Sequence, residues 1–286
     1  MRIEFEPSRE LYPFESRWLE ADGFRMHYID EGSGQPLLML HGNPTWSFLY
    51  RNLISRLRQR FRCVAPDYPG FGLSDRPDGY GYTPAEHARV VARLVGELDL
   101  RELIVIGQDW GGPIGTWVAT QNPERVSGSL FMNTWFWPAD DYGFRAFSRV
   151  MSSRPLQRWI VERNFFVERI MPAGTTSKLA PEVLDHYRRA QPTPEARRGV
   201  AEFPRQIIAS GPWLKELEAS APEALGTKPM SLIFGRKDRA LGRRAVIKRW
   251  QRYFPEAELT ELPRANHYLQ EDAPEEIAGV IERRFG

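Results

Sequence analysis

The apolar positions of this chain fall into two regimes. Through the first 134 residues, short apolar runs alternate with stretches of helical spacing. Gly23 to Asp30 alternates Phe24, Met26 and Tyr28, the period of a half-buried strand. Pro36 to Leu40, Phe61 to Pro66, Leu103 to Ile106 and Val126 to Asn133 are continuous runs, as expected of parallel strands buried on both faces. Helices are predicted between them, over Ser47 to Gln59, from Thr83 to about Leu98, and just after Asp109. Thr83-Pro84-Ala85-Glu86 supplies an N-cap, a proline in the first turn and an acidic residue near the positive helix end.

From about Trp135 to Trp213 the strand pattern stops. This stretch has helical periodicity, many aromatics, and prolines at 138, 155, 172, 181, 192 and 204. The strand pattern returns at Lys228 to Phe234. A helix over Arg243 to Tyr253, a strand over Glu258 to Leu262 and a terminal helix from Pro274 complete the chain. The prediction is an α/β fold with a mostly parallel sheet covered on both faces. Residues 1–134 and 214–286 form its core, and 135–213 are a helical insertion.

Composition narrows the function classes. A formal net charge of +2 is too small to suggest a nucleic-acid partner. The Arg-rich stretches 51–62 and 236–252 are broken by apolar residues at helical spacing, so they read as solvated helix faces. The one cysteine, Cys63, lies in an apolar run and reads as a buried, inert thiol, with neither a disulfide nor a Cys-based metal cluster available. The first residues are too charged for a secretory leader, and no run approaches a membrane span. A cytoplasmic location, with no membrane partner, is the expectation.

The candidate chemistry starts at Leu103-Ile104-Val105-Ile106-Gly107-Gln108-Asp109-Trp110-Gly111-Gly112. A β-branched run stops at a glycine, turns, and enters a helix start. This is the strand–turn–helix setting of a nucleophile elbow, with an aspartate where a serine usually stands. A carboxylate there can attack a saturated carbon and form an ester of the enzyme itself. Capping of the following helix is the alternative role for Asp109.

In an open parallel sheet, ligands bind beyond the carboxyl ends of the strands. Asn43, Asp109, Asp238 and His267 all sit at such ends. The order Asp109, Asp238, His267 follows the nucleophile–acid–histidine order of α/β-hydrolase triads. Of the other histidines, His27 lies in a strand pattern, His87 on an expected surface helix and His186 in the insertion, while His41 opens a loop it can brace. Asn133, at the end of the preceding strand, offers an amide where an acid could have stood, which favours Asp238 as the acid. Asp140 and Asp141 lie further into the insertion.

These motifs resemble those of the haloalkane dehalogenases of the α/β-hydrolase superfamily. The resemblance runs through His41-Gly42-Asn43-Pro44-Thr45-Trp46-Ser47, Asp67-Tyr68-Pro69-Gly70-Phe71-Gly72-Leu73-Ser74-Asp75, Gln108-Asp109-Trp110-Gly111-Gly112, Phe203-Pro204-Arg205-Gln206 and Asn266-His267-Tyr268-Leu269-Gln270. It implies an α/β-hydrolase fold with an inserted helical cap. Asp109 would be the nucleophile, His267 and Asp238 the water-activating pair, and Asn43 and Trp110 the donors that hold the leaving halide. Departure of halide builds negative charge on a weak base, which neutral N–H donors in a dry pocket stabilise. The backbone N–H groups of Asn43 and Trp110 would form the oxyanion hole. Trp135, Phe136 and Phe203 are expected to line the substrate pocket. The implied partners are a small halogenated hydrocarbon, water and halide, with no metal or organic cofactor. Two alternatives share the scaffold. An epoxide hydrolase would need cap tyrosines such as Tyr142 and Tyr187 as ring-opening acids. A non-catalytic or light-emitting relative would bind a ligand only.

Overall fold

A computed structural model describes residues 1–286, the side chain of Ala21 excepted. Eight strands form one sheet: β1 (Arg17–Ala21), β2 (Phe24–Glu31), β3 (Gln35–Leu40), β4 (Phe61–Pro66), β5 (Leu103–Gln108), β6 (Val126–Met132), β7 (Met230–Gly235) and β8 (Glu258–Leu262). Their spatial order is β1-β2-β4-β3-β5-β6-β7-β8. β2 is antiparallel to both its neighbours, and from β4 to β8 every pairing is parallel. The central strands β3 and β5 pair Leu40 with Gly107, and both are buried almost throughout, which is why they read as continuous apolar runs.

Helices α1 (Arg51–Leu57), α2 (Pro84–Glu97) and α3 (Gly111–Gln121) connect the first half. α1 is shorter than the periodicity predicts, because Ser47–Tyr50 forms a 3₁₀ turn ahead of it. α2 opens on the predicted cap: Glu86 N–H donates to Thr83 Oγ1, and Thr83 N–H donates to Glu86 Oε2 at 2.9 Å. Its His87 is not on the surface as expected. It is fully buried, stacked on Tyr68. Burial, and then the neighbouring His41, push its pKa down to about 3, so it is a neutral core residue.

The glycine-rich loop after β4 is fastened by Asp67, which is fully buried. Asp67 accepts from the backbone N–H groups of Ser47 and Leu73 and pairs with His27 Nδ1 at 2.8 Å. Burial opposes its charge, but His27, His41 and these donors outweigh it and hold the carboxyl below its usual range. The loop is thereby tied to the segment after β3, which carries Asn43. Cys63 is buried as expected, and burial pushes its thiol up to about 12.

Between β6 and β7 the chain is helical: α4 (Tyr142–Met151), α5 (Arg154–Arg163), and helices over Pro181–Arg189 and Arg198–Ala209. The helix Gly211–Leu225 packs back onto α3. Pro204 lies inside the helix Arg198–Ala209. An interior proline costs about 3 kcal/mol, because it removes one ladder hydrogen bond and crowds the carbonyl four residues earlier. Among the described residues, no helix is long and apolar enough to cross a membrane.

Candidate active site

The carboxyl ends of the parallel strands meet at one edge of the sheet. Asn43 follows β3, Asp109 follows β5, Asn133 follows β6, Asp238 follows β7 and His267 follows β8. Asp109 is in the left-handed region, with φ of 52°. That conformation costs about 1–3 kcal/mol for a non-glycine residue. It is held because Asp109 N–H donates to Asn133 O at 3.2 Å and Gly112 N–H donates to Asp109 O at 3.1 Å. The turn is also too tight for side chains around it. A Cβ on Gly107 would run into the Gly111 carbonyl, one on Gly111 into the Leu40 carbonyl, and one on Gly42 into the Asp109 carboxylate.

Asp109 Oδ1 accepts the backbone N–H of Asn43 at 2.8 Å. His267 Nε2 stands 3.8 Å from Asp109 Oδ2, and its Nδ1 is 2.8 Å from Asp238 Oδ2. Burial raises the Asp109 pKa. The charge of His267 and the backbone donors of Asn43 and Trp110 oppose this without cancelling it. Burial also works against a charged His267. The charge of Asp238, its hydrogen bond and the charge of Asp109 together outweigh that effect, and the His267 pKa is raised. Asp238 is destabilised by burial but receives His267 and the backbone N–H groups of Leu241 and Ala240, and it ends below its usual value.

Two amides that sequence reasoning did not assign to the site complete it. Asn133 Nδ2 donates to Asp238 Oδ2 at 3.0 Å, and its Oδ1 accepts from Gly235 N–H at 2.9 Å. The position that lacks an acid therefore braces the acid on the next strand. Gln108, fully buried, donates from Nε2 to the His267 carbonyl at 3.1 Å and faces His267 Nε2 at 3.2 Å. The carbonyl fixes which end of the amide is the NH₂, so Nε2 of the ring is matched as an acceptor and Nδ1 carries the proton. The only sequence signal for Gln108 is a polar residue closing an otherwise apolar strand.

A cavity of about 380 Å³ opens above Asp109, lined by Asn43, Trp110, Trp135, Phe144 and Ile207 among others. Trp110 stacks on Phe203 with centroids 5.3 Å apart and meets Trp135 edge-on at 4.8 Å. Of the three predicted pocket aromatics, only Trp135 lines the cavity. Phe203 stands behind Trp110, packed also on Phe71. Phe136 turns away into a cluster with Trp250 and Tyr253. Both expectations are corrected by the same cause. In an aromatic-rich segment with two apolar sides, periodicity does not say which side meets the cavity. His41 braces its loop as read, with Nδ1 donating to Gly42 O at 2.9 Å.

The family described as alpha/beta hydrolase fold matches residues 35–274. Over 286 residues, the whole of both chains, the sequence is 55% identical to Haloalkane dehalogenase 2 of Mycobacterium tuberculosis. It is 31% identical to a cis-3-alkyl-4-alkyloxetan-2-one decarboxylase of Shewanella oneidensis, covering 95% of this chain and 88% of that one. The crystal structure of the haloalkane dehalogenase DatA from Agrobacterium tumefaciens C58 superposes with a TM-score of 0.86 at 28% identity, covering 97% of this chain and 98% of that one. The chain belongs to the haloalkane dehalogenases of the α/β-hydrolase superfamily.

Proposed function

We propose that the chain converts small haloalkanes and water to an alcohol, halide and a proton, through an ester of Asp109. The enzyme class is that of hydrolases acting on carbon–halide bonds, as the full-length relatives indicate. The residue roles rest on the site. Asp109 Oδ1 is occupied by the Asn43 backbone N–H, while Oδ2 is the oxygen nearer His267. Oδ2 attacks the carbon bearing the halogen in line, a C–O bond forms, and the carbon–halogen bond breaks with its electron pair on the halide. The Trp110 indole N–H and one Asn43 amide hydrogen receive the halide.

In the second step His267 Nε2 takes a proton from water. The resulting hydroxide adds to the Asp109 ester carbon, and the charge that gathers on Oδ1 is held by the backbone N–H groups of Asn43 and Trp110. Collapse breaks the bond between the ester carbon and Oδ2, the leaving alkoxide takes the proton from His267 to become the alcohol, and the acid left on Asp109 loses its proton to solvent as the carboxylate is restored. Ester formation also removes the negative charge on Asp109, one of the causes that raise the His267 pKa. The ring therefore becomes easier to deprotonate as its task changes to that of a base. Phe144, Phe147, Phe166 and Ile207 give the cavity an apolar lining suited to an alkyl chain. We assign residues 135–213 the part of a cap over this cavity.

The observation that carries the reading is the pairing of a carboxylate nucleophile with two N–H-bearing side chains, Asn43 and Trp110, on one apolar cavity. The cap tyrosines that the epoxide hydrolase alternative needs do not line the cavity, and Tyr268, which does, donates its hydroxyl to the Asn43 carbonyl at 3.1 Å. Tyr142 is 82% exposed, and Tyr187 donates to Glu271 away from the cavity. A panel of primary chloro-, bromo- and iodoalkanes beside terminal epoxides tests the reading. Halide release with alcohol formation is expected. Diol formation faster than halide release from any haloalkane would overturn it.

A further inference from the structure

The Asn43 side chain has two hydrogens on Nδ2, and the structure shows where one goes. Nδ2 donates to the carbonyl of Val200 at 3.2 Å, across a separation of 157 residues and within buried surroundings. Val200 is the third residue of the helix Arg198–Ala209, so its carbonyl should accept from the residue four positions on. That residue is Pro204, which has no N–H. The Val200 carbonyl is thus released from the helix ladder and is fully buried with its residue, where an unpartnered acceptor is costly. The Asn43 amide supplies the missing donor.

We propose that Pro204 is a positioning residue for halide capture: by withholding an N–H from Val200 it hands that carbonyl to Asn43, and so fixes which end of the Asn43 amide faces the cavity. The bond requires nitrogen, not oxygen, on the side of Val200. The second Nδ2 hydrogen is left on the nitrogen, and Asn43 Oδ1 has no partner in the structure. An amide free to turn would present that oxygen to the anion for part of the time, and an acceptor repels halide. The fault in the helix is thereby a device of the halide site. Pro204 also lines the cavity, so its volume has to be separated from its missing N–H.

The inference rests on Asn43 as a halide donor, and the test keeps the two apart. Pro204→Val restores an N–H with a side chain at least as large, and Pro204→Ala restores it with a smaller one. Bromide affinity is read by quenching of intrinsic fluorescence, and the displacement step by rapid-quench halide release. Both variants should bind bromide about tenfold more weakly, the worth of roughly one hydrogen bond, and should slow displacement, while melting at or above the parent temperature. In an Asn43→Ala background, Pro204→Val should have no further effect. The Asn43 side-chain amide resonances, read by ¹⁵N-correlated NMR, should shift in Pro204→Val whatever the role of Asn43 in halide binding. Unchanged amide resonances would overturn the inference, as would unchanged bromide affinity in both folded variants or a loss in Pro204→Ala alone, which would mark cavity volume as the cause. Unchanged bromide binding in Asn43→Ala, with shifted resonances in Pro204→Val, would instead remove Asn43 from the halide site and leave the helix-to-amide coupling standing.

Discussion

Asp238→Asn is a change of one atom that the site is unable to absorb. Asp238 Oδ1 takes the N–H groups of Ala240 and Leu241 at 2.8 and 3.0 Å, and Oδ2 takes His267 Nδ1 and Asn133 Nδ2 at 2.8 and 3.0 Å. All four partners are donors, and an amide has only one acceptor oxygen. With that oxygen toward the backbone, the new NH₂ faces the NH₂ of Asn133 and the ring of His267. The ring then has to accept at Nδ1 and carry its proton on Nε2, where it meets the Gln108 NH₂ at 3.2 Å. With the amide turned the other way, two backbone donors are stranded. Each stranded donor costs about 1–3 kcal/mol, so the melting temperature falls by several degrees. Hydrolysis loses both the correct tautomer and the charge that stabilises imidazolium, and slows about 10⁴-fold, as in other triads with this change. Carboxylate attack needs neither. Rapid quench with a primary bromoalkane should give one bromide per site at near the parental rate, followed by a stalled alkyl-enzyme seen by intact mass. Hydrolysis within tenfold of the parent, or equal slowing of both phases, would refute this division of labour.

Three further outcomes are expected. Asp109→Ala should fold and release no halide from any haloalkane, and residual release at the parental rate would remove it as nucleophile. Replacing Asn43 or Trp110 should slow displacement more than hydrolysis, by about 3–4 kcal/mol for a lost donor, with chloride affected more than iodide; equal slowing for all halides would reduce both residues to pocket shape. Burial is outweighed by Asp238 and Asp109, which together raise the His267 pKa in the free enzyme, and a base works only when unprotonated, so hydrolysis falls as pH drops through its titration. Because the Asp109 charge is one of the causes that raise His267 and the ester removes it, the acid limb for hydrolysis of the preformed alkyl-enzyme should lie at lower pH than the NMR titration of His267 in the free enzyme, and a limb at or above that titration would contradict the charge argument.

How much of this was legible in the sequence depended on whether a local pattern carried the information. The buried parallel strands are near-continuous apolar runs, so β3, β4 and β5 were placed within a residue or two. The elbow was legible because its glycines answer a steric demand of the turn. β1 was not, since Arg17-Trp18-Leu19-Glu20 of this edge strand are little buried and show no clear alternation. The grouping of Asp109, Asp238 and His267 followed from strand ends and chain order. Long-range pairings left no local trace: Asn133 on Asp238, Gln108 on His267 and Val200 on Asn43 join residues 105, 159 and 157 positions apart. Phe136 and Phe203 show the same limit, because their apolar character is satisfied equally well behind the cavity wall as on it.

Whether Asp109 becomes esterified is tested most directly by a single turnover in H₂¹⁸O with enzyme in excess over a bromoalkane. The mechanism transfers Asp109 Oδ2 to the alcohol and replaces it with an oxygen from water. The alcohol should contain ¹⁶O, and the peptide containing Asp109 should gain one ¹⁸O. An alcohol labelled with ¹⁸O on that first turnover, with Asp109 unlabelled, would show direct attack by water and contradict the account.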